Sequence, residues 1–258
     1  MNYLLAILAG FIQGLTEFLP ISSTGHLIIF EKIFNISQDD FGLAFDASLH
    51  LGTLLAIIIF FYKDYLQLFK NNQFVKLAIG TIPAIIFGLL FEVQINSTLR
   101  QIQIVALSLI LFSFVLILAE KFGKQNKIVK DVNFVHALII GLFQSLALIP
   151  GISRSGSTIS AGLFLGLKRH DSARFAFLFS GPIVALAGLK KFIDVLTSGT
   201  SIGQIDFFLV GMISSAVFGY LTIKYFLKYL STKTLYPFIV YRIILGIILL
   251  LGLIVQKV

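Results

Sequence analysis

Two short polar runs interrupt an otherwise apolar chain, and they hold most of the side chains that could do chemistry. In the first, Gln13 and Glu17 are four residues apart and so share one face of a helix. Pro20, Ser22, Ser23, Thr24, Gly25 and His26 follow. A carboxylate, hydroxyls and an imidazole this close together suffice for acid–base or nucleophilic chemistry. The second run is Pro150-Gly151-Ile152-Ser153-Arg154-Ser155-Gly156-Ser157-Thr158. Its glycines let backbone amides converge, the helix after it presents free N–H groups, and its hydroxyls add donors, which together make an anion cradle. Arg154 adds a permanent charge with a forked geometry suited to phosphate or carboxylate. An arginine in apolar surroundings needs an anion, either a protein carboxylate such as Glu17 or a ligand. The donors here exceed what one glutamate could accept, which favours a phosphate ligand.

The rest of the chain must hold these runs in place. Of its 258 residues, 57% are hydrophobic and only 12% charged, and the mean hydropathy is +0.97. So little charge cannot cover a soluble core, which excludes an ordinary cytosolic enzyme and intrinsic disorder alike. Long unbroken apolar runs disfavour an outer-membrane barrel, whose strands alternate. The expected fold is an all-α polytopic membrane protein. Full-length spans are expected at 44–62, 76–92, 102–120, 174–193, 205–227 and 237–256. The regions 3–36 and 133–168 are apolar but broken in the middle by the two polar runs. Each reads as two half-helices too short to cross about 30 Å of hydrocarbon. Pro20 ends its helix, and Ser22, Ser23 and Thr24 are all good N-caps for the next. This gives six transmembrane helices plus two re-entrant helix pairs. Ten complete crossings fit the same hydropathy.

The net charge is +8. The lysines fall in short connectors between spans rather than along one face, which argues for loops beside an anionic leaflet and against nucleic acid. One set of connectors carries Lys63, Lys70, Lys76, Lys121, Lys124, Lys127, Lys130, Lys168, Arg169, Arg174, Lys224, Lys228 and Lys233. The other is mixed: Glu31, Lys32, Asp39, Asp40, Glu92, Arg100, Lys190, Lys191, Asp194 and Asp206. The cationic set is therefore expected in the cytoplasm, with both termini outside. Met1–Ile12 has no basic start and no small-residue cleavage site, so it is expected to stay as structure. The absence of cysteine excludes disulfides and thiolate chemistry.

The two broken regions resemble each other. Gly10-x-x-Gln13-x-Leu15 and Ile21-Ser22-x-Thr24-Gly25 match Gly141-x-x-Gln144-x-Leu146 and Ile152-Ser153-x-Ser155-Gly156, at a constant offset of 131 residues (Gln13 to Gln144, Ile21 to Ile152). Three expected spans lie between the copies, an odd number, so the copies would be inverted in the membrane. Such repeats place a site near the midplane where the broken helices meet. The chain thus reads as one membrane domain over 1–258, with repeats of about 1–130 and 131–258. Asp46 and His50, four apart in an early span, could line the same cavity or serve helix packing. Asp39, Asp40 and Asp171 read as loop or cap residues. No nucleotide P-loop, HExxH, GxSxG or dinucleotide fingerprint occurs.

The segment from Gln13 to Leu27, QGLTEFLPISSTGHL, together with PGISRSGST at 150–158, closely resembles the bacterial undecaprenyl-diphosphatase family. These are integral membrane enzymes associated with bacitracin resistance. The family's signatures are an (E/Q)xxxE helix leading into PxSSTGH, and a PGxSRSxxT segment. Both stand here in order, and the resemblance covers essentially the whole chain. Gln13 occupies the first acidic position, which weakens direct metal binding there.

The resemblance implies hydrolysis of the C55 isoprenoid diphosphate to its monophosphate, recycling the lipid carrier for peptidoglycan synthesis at the plasma membrane. It also implies a site opening outward and a divalent cation, Mg2+ or Ca2+, for which Glu17 and Gln13 are the candidate ligands. In such a reaction Arg154 and helix N-terminal amides would stabilise developing charge. Ser22, Thr24, Gly151, Ser153, Ser155, Gly156 and Thr158 would cradle the phosphates. Glu17 and His26 are expected as the acid–base pair, with His26 or Ser23 as nucleophile. A transporter or flippase for a lipid phosphate is the rival reading, since broken helices at midplane are also transporter features. A homo-oligomer is compatible with the sequence and not specified by it.

Overall fold

The computed structural model describes residues 3–34, 36, 43–70, 74–197 and 205–255, so the expected loop residues Asp39 and Asp40 lie outside the described residues. The regular structure of these segments is helical, apart from an isolated bridge between Lys127 and Leu167, with turns between the helices. In chain order the helices are α1 (Tyr3–Phe18), α2 (Ser23–Ile33), α3 (Leu43–Lys70), α4 (Phe74–Leu90), α5 (Glu92–Asn96), α6 (Ile102–Phe122), α7 (Phe134–Leu146), α8 (Arg154–Phe164), α9 (Arg169–Thr197), α10 (Ile205–Leu230) and α11 (Tyr236–Val255).

Length sorts them. Within α3, α6, α9, α10 and α11 lie five stretches long and apolar enough to cross a membrane. The sixth expected span, 76–92, falls on α4, which has 17 residues and bends by 81° into the segment Glu92–Arg100, so it counts as a sixth only if the bent pair is one span. The helices around the polar runs are shorter: 16 and 11 residues for α1 and α2, and 13 and 11 for α7 and α8. At 1.5 Å per residue, an 11-residue helix reaches only about 17 Å, roughly half the hydrocarbon thickness. These pairs are therefore broken as expected, and the chain is a multi-pass membrane protein with two half-length helix pairs.

The same offset of 131 residues recurs in the geometry. It carries the start of α1 to that of α7, and both ends of α2 to both ends of α8. It also relates two close helix crossings. A Cβ on Gly10 of α1 would lie 2.5 Å from the carbonyl oxygen of Gly211 in α10, and one on Gly141 of α7 would lie 2.1 Å from that of Gly80 in α4. Gly10 maps onto Gly141, and Gly80 onto Gly211. Only glycine allows backbones this close, the small-residue contact typical of membrane helix pairs. The first half-helix of each pair, α1 or α7, thus packs on a long helix of the other half of the chain.

Many large apolar side chains point outward, among them Leu4, Ile59, Leu111, Phe114, Ile213 and Ile248. In a chain with these spans they meet acyl chains rather than water. Inside, Phe18, Leu116, Ile159, Phe177, Ile223 and Phe226 belong to one core beneath the polar turns. Charged side chains pair near helix ends: Arg169 with Glu120 (2.6 Å), Arg174 with Asp64 (2.7 Å), and Lys190 with Glu92. Arg100 joins Asp46 (3.2 Å) and Glu31 (3.5 Å), so Asp46 serves helix packing instead of lining the polar turns. Asp171 accepts from Val129 N–H (3.1 Å), tying the start of α9 to the connection between α6 and α7.

Candidate active site

Each polar turn ends in a serine with a left-handed backbone. Ser22 has φ 73° and Ser153 has φ 78°. This region is costly for a residue with a Cβ and persists only where the surroundings over-determine it. Both serines are N-caps: Ser22 Oγ accepts from Gly25 N–H (3.3 Å) and Ser153 Oγ from Gly156 N–H (3.2 Å). The turns are joined directly, because Ser22 Oγ also accepts from Gly151 N–H (3.1 Å) and Ser155 Oγ donates to Leu19 O (2.8 Å). Gly151, at φ 97°, has no room for a side chain, since a Cβ would lie 2.5 Å from Val105 O. The starts of α2 and α8 are thereby held side by side.

At this junction the last turn of α1 meets the first turn of α8. The Glu17 side chain is buried, and its Oε1 accepts from Arg154 Nη2. Its Oε2 accepts from Gln13 Nε2 (2.9 Å) and Ser23 Oγ (2.5 Å). The protein carboxylate that Arg154 needs is therefore Glu17. Arg154 also donates through Nη1 to Ser180 O (3.2 Å). That carbonyl lies in α9 beside Pro182, which has no N–H to give Leu178 O; the Tyr65 hydroxyl fills that vacancy at 2.7 Å. A tight cleft lies over the ion pair, lined among others by Glu17, Phe18, Arg154, Thr158, Phe177 and Ser180. It has no room for a ligand as it stands, so a bulky head group would have to displace the Glu17 side chain from Arg154.

His26 lies elsewhere. Its Nδ1 is 2.7 Å from Ser22 O and its Nε2 2.6 Å from the Tyr241 hydroxyl, with the two rings stacked at 5.7 Å. A carbonyl only accepts, so Nδ1 carries the proton and Nε2 accepts from Tyr241. The expected contact between His26 and Glu17 is not formed, because both imidazole nitrogens are taken by the turn carbonyl and α11. The imidazole beside Glu17 is that of His50, with Nε2 3.9 Å from Oε2 and Nδ1 held by Asp46 O (2.8 Å).

The remaining cradle residues divide by what their side chains already do. The Ser153 and Ser155 hydroxyls are 3.1 Å apart. Thr158 Oγ1 donates back to Arg154 O (2.8 Å), so its hydroxyl braces the helix start. Thr24 is half-buried in the first turn of α2, and Gly156 sits against Pro20. For a divalent cation, the described residues hold no cluster of three or more His, Cys, Asp or Glu. Gln13 Oε1, however, is buried without a partner beside the Glu17 carboxylate. One carboxylate and one amide oxygen fit Mg2+, which is usually held by one or two carboxylates with substrate phosphates completing the shell.

Sequence reasoning missed Tyr241 and Arg242, and it left His50 among the secondary residues. The signal for Arg242 was present: a lone arginine inside an apolar span.

A family model described as bacitracin resistance protein BacA matches residues 6–248. The undecaprenyl-diphosphatase of Thermodesulfovibrio yellowstonii is 43% identical over 248 residues, covering 95% of each chain. That of Chloroherpeton thalassium is 43% identical over 277 residues, covering 97% of this chain and 96% of the relative. That of Rubrobacter xylanophilus is 38% identical over 263 residues, covering 95% and 96%. With likeness this even from end to end, and with both polar turns inside the matched region, the chain belongs to the family of the bacitracin resistance protein BacA.

Proposed function

We propose that the protein is an undecaprenyl-diphosphate phosphatase, a multi-pass enzyme of the bacterial plasma membrane that converts the lipid diphosphate to lipid phosphate and inorganic phosphate. The observation that carries the reading is the meeting of Glu17 and Arg154 between two helix N-termini braced side by side. A diphosphate brings several negative charges to this point. It would take Arg154 from Glu17, and the amides at the starts of α2 and α8 would face its oxygens. Released from Arg154, Glu17 keeps its bond from Ser23 Oγ at 2.5 Å and stands ready to take that proton.

The geometry supports Ser23 as nucleophile with Glu17 as base. Ser23 Oγ attacks the terminal phosphorus, its proton passes to Glu17, and Glu17 hands that proton to the bridging oxygen as the lipid phosphate leaves. Water then attacks the phosphoserine, giving a proton to the freed Glu17 carboxylate, which returns it to Ser23 Oγ as the P–O bond breaks and phosphate is released. His26 remains the rival nucleophile through Nε2, whose lone pair now accepts from Tyr241. Glu17 and Gln13 would hold a divalent cation together with the diphosphate oxygens, and when bound the ion would neutralise charge on the leaving phosphate. We further read the two halves of the chain as inverted repeats with the site opening to the outer face, a reading supported by the 131-residue offset and by the basic connectors.

The test is phosphate release from undecaprenyl diphosphate by detergent-purified protein, with Mg2+ or Ca2+ and with chelator. Release in the presence of the cation is expected. A pure protein that binds the lipid but liberates no phosphate would refute hydrolysis and favour transport.

A further inference from the structure

Arg242 lies well inside the apolar helix α11 and is completely buried, at 0% exposure. No Asp or Glu comes within 4.0 Å of it among the described residues. Backbone carbonyls take its charge instead. Nη1 donates to Pro20 O (3.1 Å) and Ile152 O (3.0 Å), and Nη2 to Gly151 O (3.0 Å) and Ser108 O (3.4 Å). Nε donates to Ser113 Oγ (3.2 Å), and the guanidinium lies 5.8 Å from the centre of the Phe112 ring. A buried cation is costly unless its donors are all met, and here five acceptors converge on one fork.

Three of those acceptors belong to the two polar turns, Pro20 to the first and Gly151 and Ile152 to the second. Both turns lead directly into the left-handed serines Ser22 and Ser153. In a trans peptide the N–H points opposite to the preceding C=O, so the bond to Ile152 O also sets the direction of the Ser153 N–H at the start of α8. Glu17 stands just before the first clamped turn, and Arg154 just after the second. We propose that Arg242 is the positioning residue of the phosphate site: one guanidinium binds the carbonyls of both turns and fixes them against each other, so that Glu17 and Arg154 meet. The assignment rests on the reading of those turns as the phosphate site. Lysine cannot substitute, because a single ammonium with three donors does not span five acceptors laid out for a planar fork.

The experiment compares wild type with Arg242→Lys, Arg242→Met and, as a control that keeps the fork, Phe112→Leu. Each is purified in detergent, its thermal unfolding midpoint recorded, and kcat and KM measured for phosphate release from undecaprenyl diphosphate. Arg242→Lys is expected to stay folded while losing ~10²-fold or more in kcat/KM, the scale of a misplacement near 1 Å. Phe112→Leu should stay within about threefold of wild type, a change near 0.7 kcal/mol. If Arg242→Lys lowers the midpoint but the folded protein keeps kcat and KM within about twofold, the residue serves the fold alone and the proposal is overturned. Failure of both Arg242 variants to fold overturns it as well. If wild type releases no phosphate, the functional reading fails, and calorimetric binding of inorganic diphosphate still tests Arg242. At least tenfold weaker binding to Arg242→Lys supports the clamp, and unchanged binding overturns it.

Discussion

Removing Arg154 should leave a protein that is weakened yet folded, and inactive. In the intact site the buried Glu17 carboxylate has Arg154 on one oxygen and Gln13 and Ser23 on the other. Deleting one partner of a buried ion pair costs about 3–5 kcal/mol, because the other charge stays behind without compensation. The two remaining donors, and the His50 ring at 3.9 Å, place Arg154→Ala at the lower end, about 3 kcal/mol. At roughly 2–4 °C per kcal/mol for a chain of this size, the unfolding midpoint should fall by about 6–12 °C. A protein with ~5–15 kcal/mol to lose survives that, so the variant can be purified and assayed. Its kcat should drop ~10²–10³-fold, as for loss of one preorganised donor to a developing oxyanion. The double variant Glu17→Gln/Arg154→Met removes both charges and should recover most of the stability but none of the activity. Differential scanning fluorimetry in detergent and a phosphate-release assay read both quantities. Were Arg154→Ala as stable as wild type, and the double variant no better than the sum of the singles, the buried pair would not exist in the membrane. Wild-type turnover in Arg154→Ala would refute the phosphate clamp outright.

Ser23→Ala removes the hydroxyl that donates to Glu17 and should abolish turnover with little change in unfolding midpoint; retained burst release would exclude Ser23 as nucleophile. Acid- and base-quenched wild-type reactions separate the rivals, since phosphoserine survives acid and phosphohistidine survives base, and His26→Ala should be inactive in either case. Gly141→Leu should prevent folding, because a Cβ there would sit 2.1 Å from Gly80 O and neither backbone can retreat; a normal size-exclusion profile and midpoint would show that α4 and α7 do not cross there. Chelator should suppress phosphate release, and Gln13→Ala should raise the cation concentration needed to restore it, while equal activity with and without chelator would remove the cation from the scheme.

The parts of the fold that local chemistry dictates were legible in the sequence. Pro20 and the serines after it mark where α1 stops and α2 begins, and the matching run at 150–158 marks the same for α7 and α8. Apolar length separated α3, α6, α9, α10 and α11 from the half-length helices, but it did not show that the stretch at 76–92 is a 17-residue helix bent by 81° into the next. What stayed hidden depends on contacts between residues far apart in the chain. Ser22 could be seen as a cap, but not that its hydroxyl also receives Gly151 N–H from 129 residues away. His26 could be seen as a helix-start imidazole, but not that Tyr241, 215 residues on, holds its Nε2 while His50 lies nearer the carboxylate. Arg242 advertised itself only by its cost, since backbone carbonyls leave no mark on the sequence.

The two turns are alike in backbone and unlike in charge, and that difference explains how one site arises from two similar halves. Carried forward by the 131-residue offset, Glu17 falls on Leu148 and Ser23 on Arg154. One turn thus follows the carboxylate and the other precedes the guanidinium, and neither half holds both. The mate of Arg154 is the serine whose hydroxyl donates to Glu17, so two equivalent positions, Ser23 and Arg154, address the same carboxylate from opposite turns. A second ion pair at the equivalent place would need a carboxylate at 148 and a cation at 23. It would put two more charges into a low-dielectric region, where each costs several kcal/mol unless well paired. Restricting charge to one side keeps a single anion site. It also makes the alignment of the two turns, rather than either turn alone, the property on which binding depends.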